Sequence, residues 1–214
     1  MCRFRVVGVL LVCFGFAVYA GQSMPPEKPA PAPQAPAELV ELVKNDFGPD
    51  FRIVTEAPYA HITGAVPMDG EPTEWKPLLT GDFNGDGIED AVIIARNKNP
   101  LIGAEAFKYK VDDPASGYYH WDSPKITVTF NSDDPVHNMH LLIIHGAGPQ
   151  AWRSPNPKEK FVIINVPFEQ VTLSRTMLKK TPIDAIRVEE SDTISSVIFW
   201  DGKRYRYLPG GGAE

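Results

Sequence analysis

Between residues 51 and 207 the chain is a succession of short segments rich in β-branched and aromatic residues, bounded by Gly, Pro, Asn or Asp. Segments of this length and composition predict β-strands. They are residues 51–55, 75–80, 91–96, 106–111, 125–130, 140–145, 161–166, 171–178, 185–189 and 195–207. Because no regular helical pattern separates them, they favour antiparallel pairing over a doubly wound parallel sheet.

The last segment predicts a β-hairpin. The pair Asp201-Gly202 lies between residues 197–200 and 203–207, and it tolerates the positive φ angles that a two-residue turn requires. Tyrosines alternate with arginines in the second strand, so we expect one aromatic face and one basic face.

Residues 37–47 have a different pattern. Apolar residues recur there at helical spacing, and Gly48-Pro49 follows them as a stop signal. The sequence therefore predicts an α+β fold that is mainly antiparallel β, with one N-terminal amphipathic helix packed on a sheet. Residues 37–214 are expected to form a single domain.

Residues 1–20 predict a secretory signal peptide, because two arginines precede an apolar run, 6–18, and Ala20 fits the cleavage site. That run is shorter than the ~20 residues of a membrane-spanning helix. We therefore expect cleavage and no stable membrane span afterwards; the alternatives are an uncleaved anchor and a lipid on Cys13. Both cysteines, Cys2 and Cys13, lie in this segment, so the mature chain would lack thiols and disulfides.

Residues 21–36 predict a Pro-rich linker, since proline fills half of the positions from 25 to 36. The whole chain has a net charge of -6, and removal of Arg3 and Arg5 with the signal peptide would bring it to about −8. This charge disfavours a nucleic-acid partner, because phosphate binding needs a basic surface.

Residues 82–90 read Asp-Phe-Asn-Gly-Asp-Gly-Ile-Glu-Asp. Oxygen-bearing side chains fill the first, third, fifth and ninth positions, and a glycine fills the sixth. Calcium binds about six to eight oxygens, and alternate positions of a tight loop point towards a common centre. The predicted calcium ligands are Asp82, Asn84, Asp86, the backbone carbonyl of Ile88, and Asp90. An EF-hand would need Glu at the twelfth position, where Ile93 stands.

Residues 80–93 resemble the FG-GAP, or VCBS-type, repeat of integrin propellers and many bacterial exported proteins. The resemblance implies a calcium loop between two strands, with ligands at the five positions just named. Propellers of that family contain several repeats, whereas this sequence holds no second Asp-X-Asn/Asp-X-Asp-Gly motif. We therefore expect a lone repeat and not a full propeller, as in small bacterial exported proteins that carry one such repeat.

Two further patterns suggest sites, each with a structural alternative. His137, His140 and His145 with Asp133-Asp134 suggest a transition-metal site, but 140–145 also fits a buried strand. Aromatic residues at 118–121, with Tyr205 and Tyr207, suggest a platform for a glycan or peptide, or a filled core.

Residues 141–148 are similar to the strand and oxyanion loop of α/β-hydrolases. No Gly-X-Ser-X-Gly motif follows them, and Gly146 and Gly148 also fit the end of a core strand. No catalytic residue is assigned.

The sequence thus predicts a secreted or periplasmic binding or structural module that holds one calcium ion, with an envelope protein or glycan as the expected partner. The alternative is a calcium-assisted hydrolase acting on an envelope polymer or glycan. A hydrolase would need the loop to open onto a pocket where His or Glu side chains converge, whereas a module predicts a loop that caps a sheet edge.

Overall fold

The computed structural model describes residues 33–57, 75–119, 139–191 and 193–210, all within one compact unit, Ala32–Glu214. Its helices are α1 (Ala37–Asp46), α2 (Ala104–Phe107), α3 (Pro114–Tyr119) and a 3₁₀ helix (Gly148–Arg153). Its strands are β1 (Arg52–Ile53), β2 (Leu78–Gly81), β3 (Asp90–Arg96), β4 (Lys110–Asp112), β5 (Met139–His145), β6 (Glu159–Ile163), β7 (Gln170–Leu178), β8 (Thr181–Ser191), β9 (Ile194–Trp200) and β10 (Tyr205–Pro209).

The strands form two open sheets. The first has the order β1-β3-β5-β6-β4, and β2 also pairs with β3; the second is the meander β10-β9-β8-β7. All pairs are antiparallel except β4 with β6. The mainly antiparallel α+β fold is therefore confirmed, and the described strands do not form a propeller.

The first sheet is the middle of three layers. Its central strands β3 and β5 are buried on both faces, which explains their continuous apolar sequences. One face packs against α1 through Leu39, Val43 and Phe47. The opposite face packs against the second sheet, where Ile186 and Ile198 are fully buried. The predicted N-terminal helix on a sheet is thus confirmed.

The terminal hairpin is confirmed, but its predicted turn is wrong. Trp200 pairs with Tyr205, so four residues, 201–204, form the connection in place of two. The Asp201 carboxylate accepts hydrogen bonds from the backbone N–H groups of Lys203 and Arg204. These bonds stabilise the longer turn.

The predicted strand 106–111 is also wrong in its first half. Residues 104–107 form α2, and only Lys110–Asp112 is a strand. Lys108 has a φ of 56°, which ends the helix in a left-handed conformation. The signal peptide, residues 21–32 of the linker and the strand 125–130 lie outside the described residues. No helix among those described has the length and apolar character required to cross a membrane.

Candidate calcium loop

Residues 82–89 connect β2 to β3 at the edge of the first sheet. The two strands are antiparallel, and Gly81 pairs with Asp90. The loop therefore begins and ends side by side. Gly85 and Gly87 have φ angles of +77° and +81°, a backbone conformation that residues with a side chain rarely adopt.

The loop is organised by its own side chains. Every backbone N–H from Phe83 to Ile88 donates a hydrogen bond to a side-chain oxygen within the motif. Asp90 accepts from residues 83 and 84, Asp82 from 85, 86 and 87, Asn84 from 86, and Asp86 from 88. The carboxylates are thereby fixed on one compact turn.

Asp90 is the buried centre of this network. It is fully buried, and besides its two loop bonds it accepts a 2.7 Å hydrogen bond from the backbone N–H of Gly146. Burial raises the pKa of Asp90 to about 7, and the charge of Asp86 acts in the same direction, although the three hydrogen bonds oppose them.

Gly146 lies where three segments meet. A Cβ at this position would stand 2.3 Å from the carbonyl oxygen of Glu89 and 2.8 Å from the backbone carbonyl carbon of Ala151. Only glycine fits this contact, which brings its N–H group to Asp90. Ala151 has φ 54° and ψ −132°, a strained backbone for a residue with a side chain.

A second connection joins the loop to the other sheet. The backbone N–H of Asp82 donates to the Asp184 carboxylate at 2.8 Å, and the Asp184 N–H donates to the Asp82 carbonyl at 3.0 Å. Asp184 lies in β8, so the start of the loop is fixed to the second sheet.

Asp86 is the most exposed of the three aspartates in the motif. Its Oδ1 accepts from Ile88 N–H, and its Oδ2 accepts from the Lys158 ammonium at 3.1 Å. Partial burial acts to raise the pKa of Asp86, but these two bonds and the Lys158 charge outweigh it, so the pKa lies below its ordinary value.

Trp152 lies next to the end of the loop. Its indole N–H donates to the Glu89 carboxylate at 2.7 Å, and the Arg153 guanidinium lies 3.9 Å from the ring centroid. The side chain of Trp152 is buried, and its bond to Glu89 connects the 3₁₀ helix to the end of the loop.

The residues at the five predicted ligand positions fit a calcium ion in chemistry. They supply three carboxylates, an amide oxygen and a carbonyl, the hard oxygen donors that this ion prefers. The amide of Asn84 is oriented by the Asp86 N–H, and its Nδ2 is buried without a hydrogen-bond partner. However, no three His, Cys, Asp or Glu side chains in the described ranges are grouped closely enough to hold a metal ion. The carboxylates are instead closed onto backbone N–H groups.

The two described histidines do not form a metal site together. His140 and His145 are five residues apart on β5, so they point to opposite faces of the sheet. His140 Nε2 lies 3.0 Å from the Asn97 carbonyl, and His145 Nε2 lies 2.7 Å from the Tyr205 hydroxyl. Burial lowers the pKa of each to about 4. They therefore belong to the buried strand; His137, Asp133 and Asp134 lie outside the described residues.

The described aromatic residues of the predicted platform do not form one exposed surface. Tyr205 and Tyr207 are buried in the core between the two sheets, so the aromatic face of β10 is not an exposed platform. Tyr118 and Tyr119 are exposed, while residues 120–122 lie outside the described ranges. The hydrolase-like segment is likewise structural, because β5 pairs antiparallel with both neighbours and Gly146 serves close packing.

Asp184, Lys158 and Gly146 are parts of the site that the sequence did not reveal. Asp184 is 102 residues from Asp82, and Lys158 is 72 residues from Asp86. Neither stands in a local motif. Gly146 follows an apolar strand, a signal that predicts a strand end but not a contact with Asp90.

Comparison with known proteins gives no relative: no protein-family model matches the chain, and neither the curated proteins nor the solved structures contain a match. The assignment of residues 80–93 to a repeat type thus stays a prediction from their sequence.

Proposed function

We propose that this chain is an extracytoplasmic module that binds one calcium ion through residues 82–90. The ion acts structurally, fixing the loop at the place where the two sheets meet. The predicted signal peptide and Pro-rich linker, 1–20 and 21–36, support export and tethering. An envelope protein or a glycan is the proposed partner, and the negative net charge disfavours a nucleic acid.

The observation that carries this proposal is the ordered turn itself. Six consecutive N–H groups, from Phe83 to Ile88, orient the oxygens of the motif. Such preorganisation lowers the entropy that is lost when a cation is bound. Three carboxylates share this turn, and Lys158 is the one cation that bonds to them among the described residues. A dication would offset the remaining negative charge.

A structural role is favoured by what the loop connects. Asp82 is bonded to Asp184 in the second sheet, and Asp90 is bonded to Gly146 after β5. An ion held between Asp82 and Asp90 would therefore restrain three segments at once. Binding to the folded state alone raises its stability by RT ln(1 + [Ca]/Kd). At ten times Kd this is about 1.4 kcal/mol.

No observation favours the hydrolase. A shallow cavity of about 220 Å³ beside the loop is lined by Asp82, Arg175, Pro182, Ile183 and Asp184. These residues include no histidine or glutamate that would act as a general base.

Thermal unfolding of the secreted form with 10 mM calcium or with chelator tests the proposal. Calcium loops of extracellular modules bind at roughly 10⁻⁴–10⁻³ M, so we expect calcium to raise the Tm by roughly 3–11 °C for a domain of this size. Asp86→Ala should abolish the rise.

Asp201→Ala is the matched control. Asp201 also organises a turn through backbone N–H groups, but in the β9–β10 connection. This variant should melt earlier while keeping the calcium increment. Equal Tm values with calcium and chelator in the wild type, or an unchanged increment in Asp86→Ala, would contradict the proposal.

A further inference from the structure

The positively charged ammonium of Lys158 lies next to the Oδ2 oxygen of Asp86. We infer that it is a resident counter-cation that competes with calcium for Asp86 and weakens the affinity of the loop. The inference rests on the proposed function, because it concerns how the same loop binds its ion. The distance from Lys158 Nζ to Asp86 Oδ2 is 3.1 Å.

The Lys158 backbone is fixed while its side chain is not enclosed. Its N–H donates to the His145 carbonyl at 2.9 Å, which anchors the residue just before β6. The side chain is 57% exposed, whereas that of Asp86 is 21% exposed. The fixed backbone therefore keeps the Lys158 side chain close to the loop. Because this side chain is exposed, its ammonium can leave Asp86 and be solvated by water.

A comparison with Lys160 shows why this matters. Lys160 is only 13% exposed and donates to both the side chain and the carbonyl of Asp46. Removing that ammonium would leave a shielded carboxylate unpaired. Asp86 is nearly as shielded as Asp46, but the Lys158 ammonium is 57% exposed, and pairs with an exposed partner are weak. It is therefore displaceable, as a competitor must be.

Both oxygens of Asp86 are occupied in this structure. Oδ1 accepts from Ile88 N–H, and Oδ2 accepts from Lys158. A calcium ion that binds Oδ2 has to displace the ammonium, and it is repelled by the same charge while the lysine remains near. Removing the charge should therefore tighten calcium binding by roughly threefold to tenfold.

The test is calorimetric titration of the secreted wild-type protein and its variants with calcium chloride at low ionic strength. Lys158→Gln should lower the Kd by the stated factor, and Lys158→Arg, which keeps the charge, should stay within about twofold of the wild type. Lys44→Gln is the matched control. Lys44 is 55% exposed, and its Nζ lies 3.7 Å from the carboxylate of Glu41 on α1. Lys44→Gln therefore removes an equal charge from an exposed pair outside the loop.

Stability gives a second readout with a distinctive sign. With chelator, Lys158→Gln should melt slightly below the wild type, because Asp86 has lost its partner. With calcium it should show a larger increment than the wild type. If Lys158 has no role in calcium binding, Lys158→Gln should leave both the Tm with chelator and the calcium increment unchanged.

The outcomes separate the two hypotheses. A wild type that binds calcium, with Lys158→Gln and Lys44→Gln of equal affinity, overturns the role of Lys158 and leaves the calcium loop intact. A wild type that binds no calcium at millimolar concentration overturns both. Tighter binding in Lys158→Gln alone, with Lys158→Arg like the wild type, supports the inference.

Discussion

Replacing Gly146 by alanine should be among the most damaging single-methyl changes in this chain. The added Cβ would lie 2.3 Å from the Glu89 carbonyl oxygen, 2.8 Å from the backbone carbonyl carbon of Ala151 and 2.9 Å from the Trp152 nitrogen. All three are backbone atoms, one from Glu89 and two from the peptide bond that joins Ala151 to Trp152, so no side chain can rotate to make room. Overpacking of this kind costs about 1–3 kcal/mol.

The shift needed to relieve these contacts also moves the Gly146 N–H, which donates to the buried Asp90 at 2.7 Å. A hydrogen bond to a charged group is worth about 1.5–3 kcal/mol. Taken together, Gly146→Ala should lower the free energy of unfolding by roughly 3–5 kcal/mol. A domain of this length loses about 2–4 °C of Tm for each kcal/mol, so the Tm should fall by roughly 10 °C.

Urea unfolding followed by Trp fluorescence measures this change, and Gly117→Ala is the control. Gly117 lies in α3, and a Cβ there would meet nothing within 4 Å, so its replacement should be neutral or slightly stabilising. If both alanine variants unfold at the same urea concentration, the three segments do not meet at Gly146 as described, and the close packing of Gly146 against the end of the loop is refuted.

Two other predictions concern stability. Buried His140 has a pKa of about 4 in the folded state, compared with the ordinary histidine value of 6.5. As the pH falls, the unfolded chain therefore binds this proton at a higher pH than the folded chain does, and the free energy of unfolding should fall by up to about 3 kcal/mol between pH 6.5 and pH 4. His140→Gln, which cannot titrate, should lack this share of the acid sensitivity in urea titrations at pH 7 and pH 4; an identical pH dependence would refute the assignment. Lys160→Met should cost about 2 kcal/mol, because its ammonium also binds the last carbonyl of α1. Lys110→Met, which removes an exposed pair with Glu159, should cost less than about 1 kcal/mol, and equal losses in the two methionine variants would argue against a special role for Lys160.

The layers of the fold were predictable because they depend on local periodicity. The apolar residues of 37–47 recur at helical spacing, and α1 indeed packs them on a sheet. Segments such as 171–178 carry the β-branched composition that a strand needs. The short helices α2 and α3 carry no such signal, since four to six residues do not establish a period. The parallel pairing of β4 with β6 is a tertiary contact that no local pattern encodes.

The loop shows the same division within one site. Its turn was predictable from nine residues, because each N–H from Phe83 to Ile88 finds its acceptor inside the motif. Its surroundings were not, because Asp184, Gly146 and Lys158 come from other parts of the chain. The motif alone describes how oxygens can be arranged, whereas these three contacts determine what a bound ion would restrain and what it must displace. The proposed calcium affinity would therefore depend on the fold around the loop as much as on the loop sequence, and a synthetic peptide of residues 80–93 should bind the ion far more weakly than the folded protein does.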